Sequence, residues 1–247
     1  MDYQSVRIPA VPFALCADRL VISLFHRKDD ALIKSQNRIG KVKKLRIRAH
    51  RSFGNQARNM ENQMISSKIA IIDIDNTLWP FSDAFYLELK KINRNFPTPD
   101  EWSNFKIWEG YCSVEDFLTA TNTIHHNQDS DQYQPYPESK SFLFSLKENG
   151  FHIILASHRK KETSQPTERW LARHELPYDE LHLSFDKTVL FPNADIVVDD
   201  SPLTLEKAIE NGALGTGLLF PWNRDYASNG FRLFQNLNEV PDYILKT

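Results

Sequence analysis

Two aspartates, two positions apart, follow a short apolar run. Asp73 and Asp75 stand in the segment DIDNT, directly after the isoleucine-rich apolar run Ile69–Ile72. In an extended backbone, a spacing of two places both side chains on the same side. Two carboxylates so close together repel each other unless a cation binds them, and Mg²⁺ prefers a few carboxylates together with substrate phosphate. The spacing therefore predicts a magnesium site that also receives a phosphate group.

Three further polar segments also follow apolar runs. Ser157 and His158 end one run in LASHR, Lys187 follows another in SFDKT, and Asp199 with Asp200 ends a third in VVDDSP. Singly, each has a commoner explanation, namely a turn serine, a surface lysine or histidine, or an acidic pair at a helix N-terminus. Together with Asp73 and Asp75, they place polar residues at the ends of four predicted strands, in an order that suits one phosphate site. The hypothesis depends on this coincidence.

The elements that must position these residues alternate between strands and helices. Apolar runs predict strands at 69–72, 151–156, 181–184, 194–198 and 216–220, with helices at 137–149, 166–175 and from 202 to about 212. Such alternation implies a parallel sheet covered on both faces, with ligands at the carboxyl ends of its strands. We predict an α/β fold, with a Rossmann-like parallel sheet flanked by helices and a helical insertion after the first strand.

The four segments together resemble the haloacid dehalogenase superfamily, specifically its phosphatases. DIDNT matches the first motif, DxDxT, and Ser157 matches the hydroxyl residue of the second. Lys187 matches the third motif, and Asp199 with Asp200 matches the acidic pair of the fourth. Asn76 departs from the glycine of many members, which mainly affects the turn. The resemblance covers Lys68 to about Asp225.

The resemblance implies a role for each matched residue. Asp73 would attack phosphorus and form an aspartyl-phosphate, while Asp75 would protonate the leaving oxygen and then activate water. Mg²⁺ would be held by Asp73, the backbone carbonyl of Asp75 and Asp200, with Asp199 behind these ligands. The implied phosphate-binding residues are Asn76, Thr77, Ser157, His158 and Lys187.

The insertion spans about residues 79–136, and in this superfamily an insertion there is a cap that closes over the site. Most of its rings are expected to form the cap's own core and its seal on the sheet, with one or two left to stack on a base. The rings are Phe81, Phe85, Tyr86, Trp102, Phe105, Trp108, Tyr111 and Phe117.

A closer resemblance concerns the substrate. The segments SHR, ERWLARH, LSFDKT, ADIVVDDSP and PWNR are similar to those of the 5'(3')-deoxyribonucleotidases, which implies nucleoside monophosphates as substrates. An alternative comes from residues 170–184, which resemble the phosphatase part of polynucleotide kinases that removes 3' phosphates from nucleic-acid ends. Binding of a long polyanion requires an open, positively charged surface. The net negative charge of residues 64–247 and the large cap therefore disfavour this alternative. A non-catalytic binding protein is disfavoured because Asp73 and Asp75 are both present.

The charge divides the chain into two parts. Residues 1–63 hold thirteen Lys and Arg against five Asp and Glu, and the remainder holds 17 basic and 27 acidic residues. The basic run at 41–51 suits an arm that touches nucleic acid or acidic lipid, but a solvated, poorly ordered extension is favoured. Met64 is a natural opening for the phosphatase domain, 64–247, so residues 1–63 are alternatively a leader.

Cysteines and hydropathy bear on the compartment. Cys16 and Cys112 have no metal-type spacing and give no disulfide framework, which fits a reducing compartment. The apolar stretch Val11–Phe25 is too short and too charged to span a membrane. We therefore expect a cytoplasmic protein that acts on a small-molecule phosphoester, above all a nucleotide, with neither a membrane nor a nucleic-acid partner.

Overall fold

A computed structural model describes residues 68–104, 106–229 and 231–247. The extension predicted for residues 1–63 lies outside this part of the chain. The described residues form a six-stranded sheet in the order β3-β2-β1-β4-β5-β6, in which every neighbouring pair is parallel. The strands are β1 (Lys68–Ile72), β2 (Phe151–Ser157), β3 (Glu180–Leu183), β4 (Ile196–Val198), β5 (Leu214–Leu218) and β6 (Arg232–Phe234). The predicted α/β fold is confirmed, and β6 is an addition that the sequence patterns did not indicate.

The described residues also form six α-helices. Among the described residues, none combines the length and apolar character that crossing a membrane requires. Ser113 begins the second helix because its Oγ accepts a hydrogen bond from the backbone N–H of Asp116 at 3.1 Å. Pro202 occupies the first turn of the fifth, where proline is tolerated. The helices are α1 (Phe81–Ile92), α2 (Val114–His126), α3 (Ser139–Glu148), α4 (Ser164–Arg173), α5 (Pro202–Glu210) and α6 (Val240–Ile244).

Both faces of the sheet are buried, because side chains of successive strand residues point to opposite faces. Ala70 and Ile72 of β1 pack in the larger core, which also contains Trp170. Ile71, between them, packs in a second core with Val197 of β4. A parallel sheet covered on both faces explains why the strands read as apolar runs without polar alternation.

The chain order places a crevice at the centre of the sheet. From β1 the chain builds β2 and β3 on one side, and then crosses to build β4, β5 and β6 on the other. Loops that leave β1 and β4 therefore diverge, and ligands of such sheets bind at the carboxyl ends of the strands beside this point. Asp73 and Asp199 follow directly on β1 and β4.

Gly217 lets the end of β4 approach β5 closely. A Cβ atom at position 217 would lie 2.0 Å from the carbonyl oxygen of Asp199, so no other residue fits without a backbone shift. The sequence patterns placed this strand at 216–220, whereas the structure begins it at Leu214. Gly215 and Gly217 both belong to this strand, and close backbone approach is a common reason for glycine within a strand.

The insertion between β1 and α3 contains α1 and α2, with irregular segments and a 3₁₀ turn at Pro99–Glu101. The ring of Phe85 packs edge-on against Phe117 with centroids 4.8 Å apart, and also contacts Trp102. Trp108 packs on Phe117 at 4.8 Å. These rings form the internal core of the insertion, as expected for the majority, and Phe105 lies outside the described residues.

Candidate active site

Three buried carboxylates meet where β1 and β4 end. The backbone N–H of Asp73 donates to the carbonyl of Val198 at 2.8 Å, which extends the pairing of β1 and β4 beyond the strands themselves. Each of Asp73, Asp199 and Asp200 is buried and offers one oxygen, and these three oxygens lie within 4.8 Å of one another. Residues 126 positions apart along the chain thus form one acidic cluster.

Lys187 is the cation of this cluster. Its Nζ lies 2.7 Å from Oδ1 of Asp73 and 2.5 Å from Oδ2 of Asp199, and only 1% of the residue is exposed. Burial alone would lower the pKa of the ammonium group, but the carboxylates of Asp199 and Asp73 raise it above its ordinary value. Lys187 is therefore charged at neutral pH and connects the acids that follow β1 and β4.

The cluster contains more negative charge than Lys187 can balance. Burial raises the pKa of Asp73 well above its usual range, and the neighbouring aspartates add to this while Lys187 opposes it. Burial and the charge of Asp199 likewise raise the pKa of Asp200 to about 8. Closely spaced carboxylate oxygens that resist ionisation suit a hard divalent cation such as Mg²⁺, so the donor set fits the predicted metal.

Magnesium is expected to raise the unfolding temperature more at about pH 8 than at about pH 6. Without metal, the folded state holds a proton on Asp200 that the unfolded state, with a pKa near 3.8, has lost. The contribution of this group to stability therefore falls as pH rises from about 4 to about 8. A cation replaces that proton, so its stabilising effect grows over the same range. Thermal unfolding in EDTA and in Mg²⁺ at both pH values measures this.

The Asp200→Asn variant is the control for that experiment, because an amide does not titrate. Its magnesium-induced shift is expected to be small, and to change less between the two pH values than that of the wild type, because only Asp73 is left to exchange a proton for the cation. A wild-type shift that is the same at about pH 6 and about pH 8 would contradict the proton exchange at Asp200.

The side chain of Asp75 has separate partners. Arg159 donates to it from two nitrogens, Nη2 to Oδ1 at 2.6 Å and Nε to Oδ2 at 3.0 Å. The Oγ of Ser157 donates to Oδ2 at 3.1 Å, and the indole N–H of Trp79 donates to Oδ1 at 2.9 Å. Ser157 ends β2, so it is brought to the same edge of the sheet as the acidic cluster.

His125 is the cap residue in this network. It lies in α2, is 2% exposed, and places Nε2 3.1 Å from Oδ2 of Asp75. Burial and the charge of Arg159 lower the pKa of His125, although Asp75 opposes this. Burial tends to raise the pKa of Asp75, but Arg159 and His125 outweigh it and hold that pKa well below the ordinary value. Asp75 is thus ionised, and a neutral imidazole lies against it.

Asn76 orients a member of the acidic cluster. Its φ of 56° is in the left-handed region, which asparagine tolerates better than most residues. Its Nδ2 donates to Oδ2 of Asp200 at 3.2 Å, and its Oδ1 accepts the backbone N–H of Ser82 in α1 at 2.8 Å. The side chain thus aligns Asp200 and the start of α1.

The remaining predicted phosphate-binding residues differ in exposure. Thr77 is fully buried, and its Oγ1 has no hydrogen-bond partner among the residues that the structure describes. Ser157 and Arg159 are each 1% exposed, whereas His158 between them is exposed. This alternation aims Ser157 and Arg159 at Asp75. The phosphate contacts predicted for Asn76, Thr77, Ser157, His158 and Lys187 stay predictions.

Two residues after β5 support Asp200 and were not found from the sequence. The indole N–H of Trp222 donates to Oδ2 of Asp200 at 3.1 Å, and Nδ2 of Asn223 donates to its backbone oxygen at 3.0 Å. Trp222 also packs near Trp102 of the cap, with ring centroids 6.2 Å apart. The segment PWNR was noted only as a resemblance, although a buried tryptophan and asparagine both need hydrogen-bond partners.

Several solved structures are similar to this chain. A predicted phosphatase from Clostridium acetobutylicum is 18% identical, with a TM-score of 0.53 over 73% of this chain and 99% of that one. A predicted phosphoglycolate phosphatase from Haemophilus somnus is 16% identical, with a TM-score of 0.52 over 72% and 99%. A haloacid dehalogenase-like family protein from Streptococcus pneumoniae is 17% identical, with a TM-score of 0.52 over 72% and 98%.

These similarities establish the fold. The described part of the chain has the fold of the haloacid dehalogenase-like hydrolases, as the motifs predicted. No protein-family model and no curated protein sequence matches the chain. The substrate must therefore be inferred from the chemistry of the residues themselves.

Proposed function

We propose that this protein is a magnesium-dependent phosphomonoester hydrolase that acts through an aspartyl-phosphate on Asp73. The observation that carries the proposal is the buried cluster at the centre of the sheet. Asp73 lies there within 4.8 Å, oxygen to oxygen, of Asp199 and Asp200, and is hydrogen-bonded to Lys187. A carboxylate held beside a lysine and a cation-binding acid is arranged to meet a phosphoryl group.

The other residues would bind the metal ion and the phosphoryl group. Asp73, Asp200 and the backbone carbonyl of Asp75 would hold Mg²⁺, which would neutralise charge on the transferring phosphoryl group. Lys187 and Ser157 would bind phosphoryl oxygens. Asp199 accepts from Lys187 and from the backbone N–H of Ser201 at 2.9 Å, so it supports the proposal by fixing the lysine.

The protonation state of Asp75 decides where the proton for the leaving oxygen comes from. An oxygen of Asp73 forms a bond to phosphorus while the bond to the leaving oxygen breaks, and that oxygen takes a proton from Asp75. Since Asp75 is ionised without substrate, a phosphomonoester monoanion would deliver this proton, because the second pKa of such groups is near about 6. In the second step the ionised carboxylate takes a proton from the water that attacks the aspartyl-phosphate.

Nucleoside monophosphates are the proposed substrates. The support is the similarity of five segments to the deoxyribonucleotidases, together with an aromatic-rich cap. The same cap counts against nucleic-acid ends, because His125 of α2 lies against Asp75, on the side where the leaving group would depart. A polymer would have to pass this contact, whereas a mononucleotide fits beneath a closed cap.

Phosphate release over a substrate panel tests the function. The panel contains ribo- and deoxyribonucleoside 5'- and 3'-monophosphates, sugar phosphates, phosphoglycolate and 3'-phosphorylated oligonucleotides, each with Mg²⁺ or with EDTA. We expect mononucleotides to have the highest kcat/KM, by about tenfold or more over the sugar phosphates, and no turnover in EDTA. The expected salt dependence is small, since a mononucleotide contacts few cationic groups.

Other results of this panel would overturn the proposal. The highest kcat/KM on oligonucleotides, with steep salt dependence, would assign the chain to nucleic-acid end processing. No phosphate release from any substrate, with no beryllium fluoride complex on Asp73, would make it a binding protein on the same fold.

A further inference from the structure

The carboxylate of Asp75 is held by more donors than a mobile proton carrier needs. Trp79 and Nη2 of Arg159 donate to Oδ1, while Ser157, Nε of Arg159 and Nε2 of His125 surround Oδ2. A carboxylate has about four lone-pair positions, so five contacts with these partners leave it little freedom to rotate. Arg159 is the only one of them that contacts both oxygens.

Further hydrogen bonds hold the side chain of Arg159 in place. It is 1% exposed, and its third nitrogen, Nη1, donates to Oγ1 of Thr167 at 2.9 Å and to Oε1 of Gln128. The hydroxyl of Thr167 donates to the same Gln128 oxygen at 3.2 Å. Thr167 belongs to α4 and Gln128 follows α2 of the cap, so two elements support the guanidinium.

The shape of the arginine side chain matters here. Its planar guanidinium donates in parallel to both oxygens of a carboxylate, which fixes the carboxylate plane as well as its charge. A lysine supplies a similar charge at a single point and leaves the carboxylate free to rotate. Arg159 is buried and donates to Asp75, Thr167 and Gln128, so we expect its effect on the reaction to act through Asp75.

We propose that Arg159 is a positioning residue, which fixes the orientation of Asp75 for proton transfer in both steps of the reaction. The inference rests on the proposed phosphatase function and deepens it. A carboxylate misplaced by about 1 Å loses about 10- to 100-fold in rate, because proton transfer needs a short and aligned hydrogen bond.

A substrate with a stable leaving group separates the two steps. p-Nitrophenolate leaves phosphorus without a proton, so the first step does not need Asp75. Hydrolysis of the aspartyl-phosphate still needs Asp75 to take a proton from water. A fault confined to the orientation of Asp75 therefore slows only the second step and lets the phosphoenzyme accumulate.

The experiment is rapid-mixing kinetics of Arg159→Lys with p-nitrophenyl phosphate and Mg²⁺. We expect a burst of about one nitrophenolate per active site, followed by steady turnover about 10- to 100-fold below wild type. Arg169→Lys is the matched control, because Arg169 is exposed and pairs with Asp129 at 2.6 Å. This control is expected to show wild-type turnover. Loss of turnover in Arg159→Lys without a burst would overturn the inference.

A double variant tests whether Arg159 acts through Asp75. We expect Asp75→Asn and Asp75→Asn/Arg159→Lys to turn over at the same rate, because the second substitution has nothing left to position. Multiplied losses would instead indicate general damage to the fold and sink the proposal. Should Arg159→Lys not fold, Thr167→Val decides, since it removes one support of the guanidinium and is expected to give the same burst with a smaller rate loss.

The two proposals fail in distinguishable ways. Wild-type protein that releases no phosphate from any substrate contradicts the phosphatase function. Active wild-type protein, combined with a burst-free Arg159→Lys, leaves the function intact and contradicts only the positioning role.

Discussion

The Asp73→Asn variant is expected to lose phosphate release by about 10⁴-fold or more and to keep the wild-type fold. An amide oxygen is a far weaker nucleophile than a carboxylate and cannot form the acyl phosphate. Asparagine has the same shape as aspartate, and its Oδ1 can still accept the hydrogen bond that Lys187 donates at 2.7 Å. Phosphate release from the best substrate of the panel, measured with saturating Mg²⁺, gives the loss.

The stability of the Asp73→Asn variant provides a second measurement. Asp73 is 5% exposed, and burial with the neighbouring Asp199 and Asp200 raises its pKa well above the usual range. Its charge is therefore unfavourable where it lies, despite Lys187. Removing that charge is expected to leave the unfolding temperature in EDTA equal to or higher than that of the wild type. A residue kept for chemistry at the expense of stability behaves in this way.

A second carboxylate on the same sheet provides the control. Asp195 is exposed, stands before β4 at the opposite end of that strand, and accepts the backbone N–H of Ile69 at 2.7 Å. Asp195→Asn keeps an acceptor oxygen there, so wild-type turnover is expected. Wild-type turnover in Asp73→Asn, in protein free of the parent enzyme, would show that another group attacks phosphorus.

The layout of the sheet could be predicted from the sequence because the strands are buried on both faces. The runs around Ile71, Ile154 and Val197 are apolar apart from Lys68 and His152 near their starts, and the polar residues of the site appear where each strand stops. Strand β6 was missed because three residues, of which Arg232 is exposed, give too short a pattern. Helix α4 was predicted from 166 and begins at Ser164, a difference within the usual uncertainty of helix ends.

The acidic half of the site could be predicted because backbone position decides it. Asp73 and Asp199 are the first residues after adjacent parallel strands, so their proximity follows from topology alone. Lys187 reaches them from a loop, and its burial could not have been read from the sequence. The direction in which Asp75 points depends on side-chain packing, which motif spacing does not describe.

The partners of Asp75 illustrate that limit. His125 lies 50 positions after Asp75 in the sequence and belongs to the cap. Arg159 lies 84 positions after Asp75 and follows β2. One local indication existed for Arg159, because a spacing of two from Ser157 places both side chains on the same side of an extended backbone. Nothing comparable marked His125, whose position is fixed by the packing of α2 against the rings of the cap.

Replacing Lys187 with methionine is expected to reduce turnover by about 10³-fold and the free energy of unfolding by about 3 to 5 kcal/mol in EDTA. Methionine fills a similar volume without charge, so Asp73 and Asp199 lose the cation that lies within 2.7 Å of both. Uncompensated carboxylates are then left buried, which is the costly outcome. Urea unfolding in EDTA and in Mg²⁺ measures the loss, and Mg²⁺ is expected to restore part of it by supplying another cation.

Two companion variants separate charge balance from catalysis. Lys187→Met/Asp199→Asn removes both members of the pair, so stability is expected to recover by about half or more while turnover stays low. Lys147→Met is the control, because Lys147 pairs with Asp179 at 2.6 Å on the surface, where loss of the pair costs about 1 kcal/mol or less. Turnover of Lys187→Met within about threefold of wild type would mean that the ammonium group contacts no phosphoryl oxygen, and the lysine would then serve only to balance the acids around it.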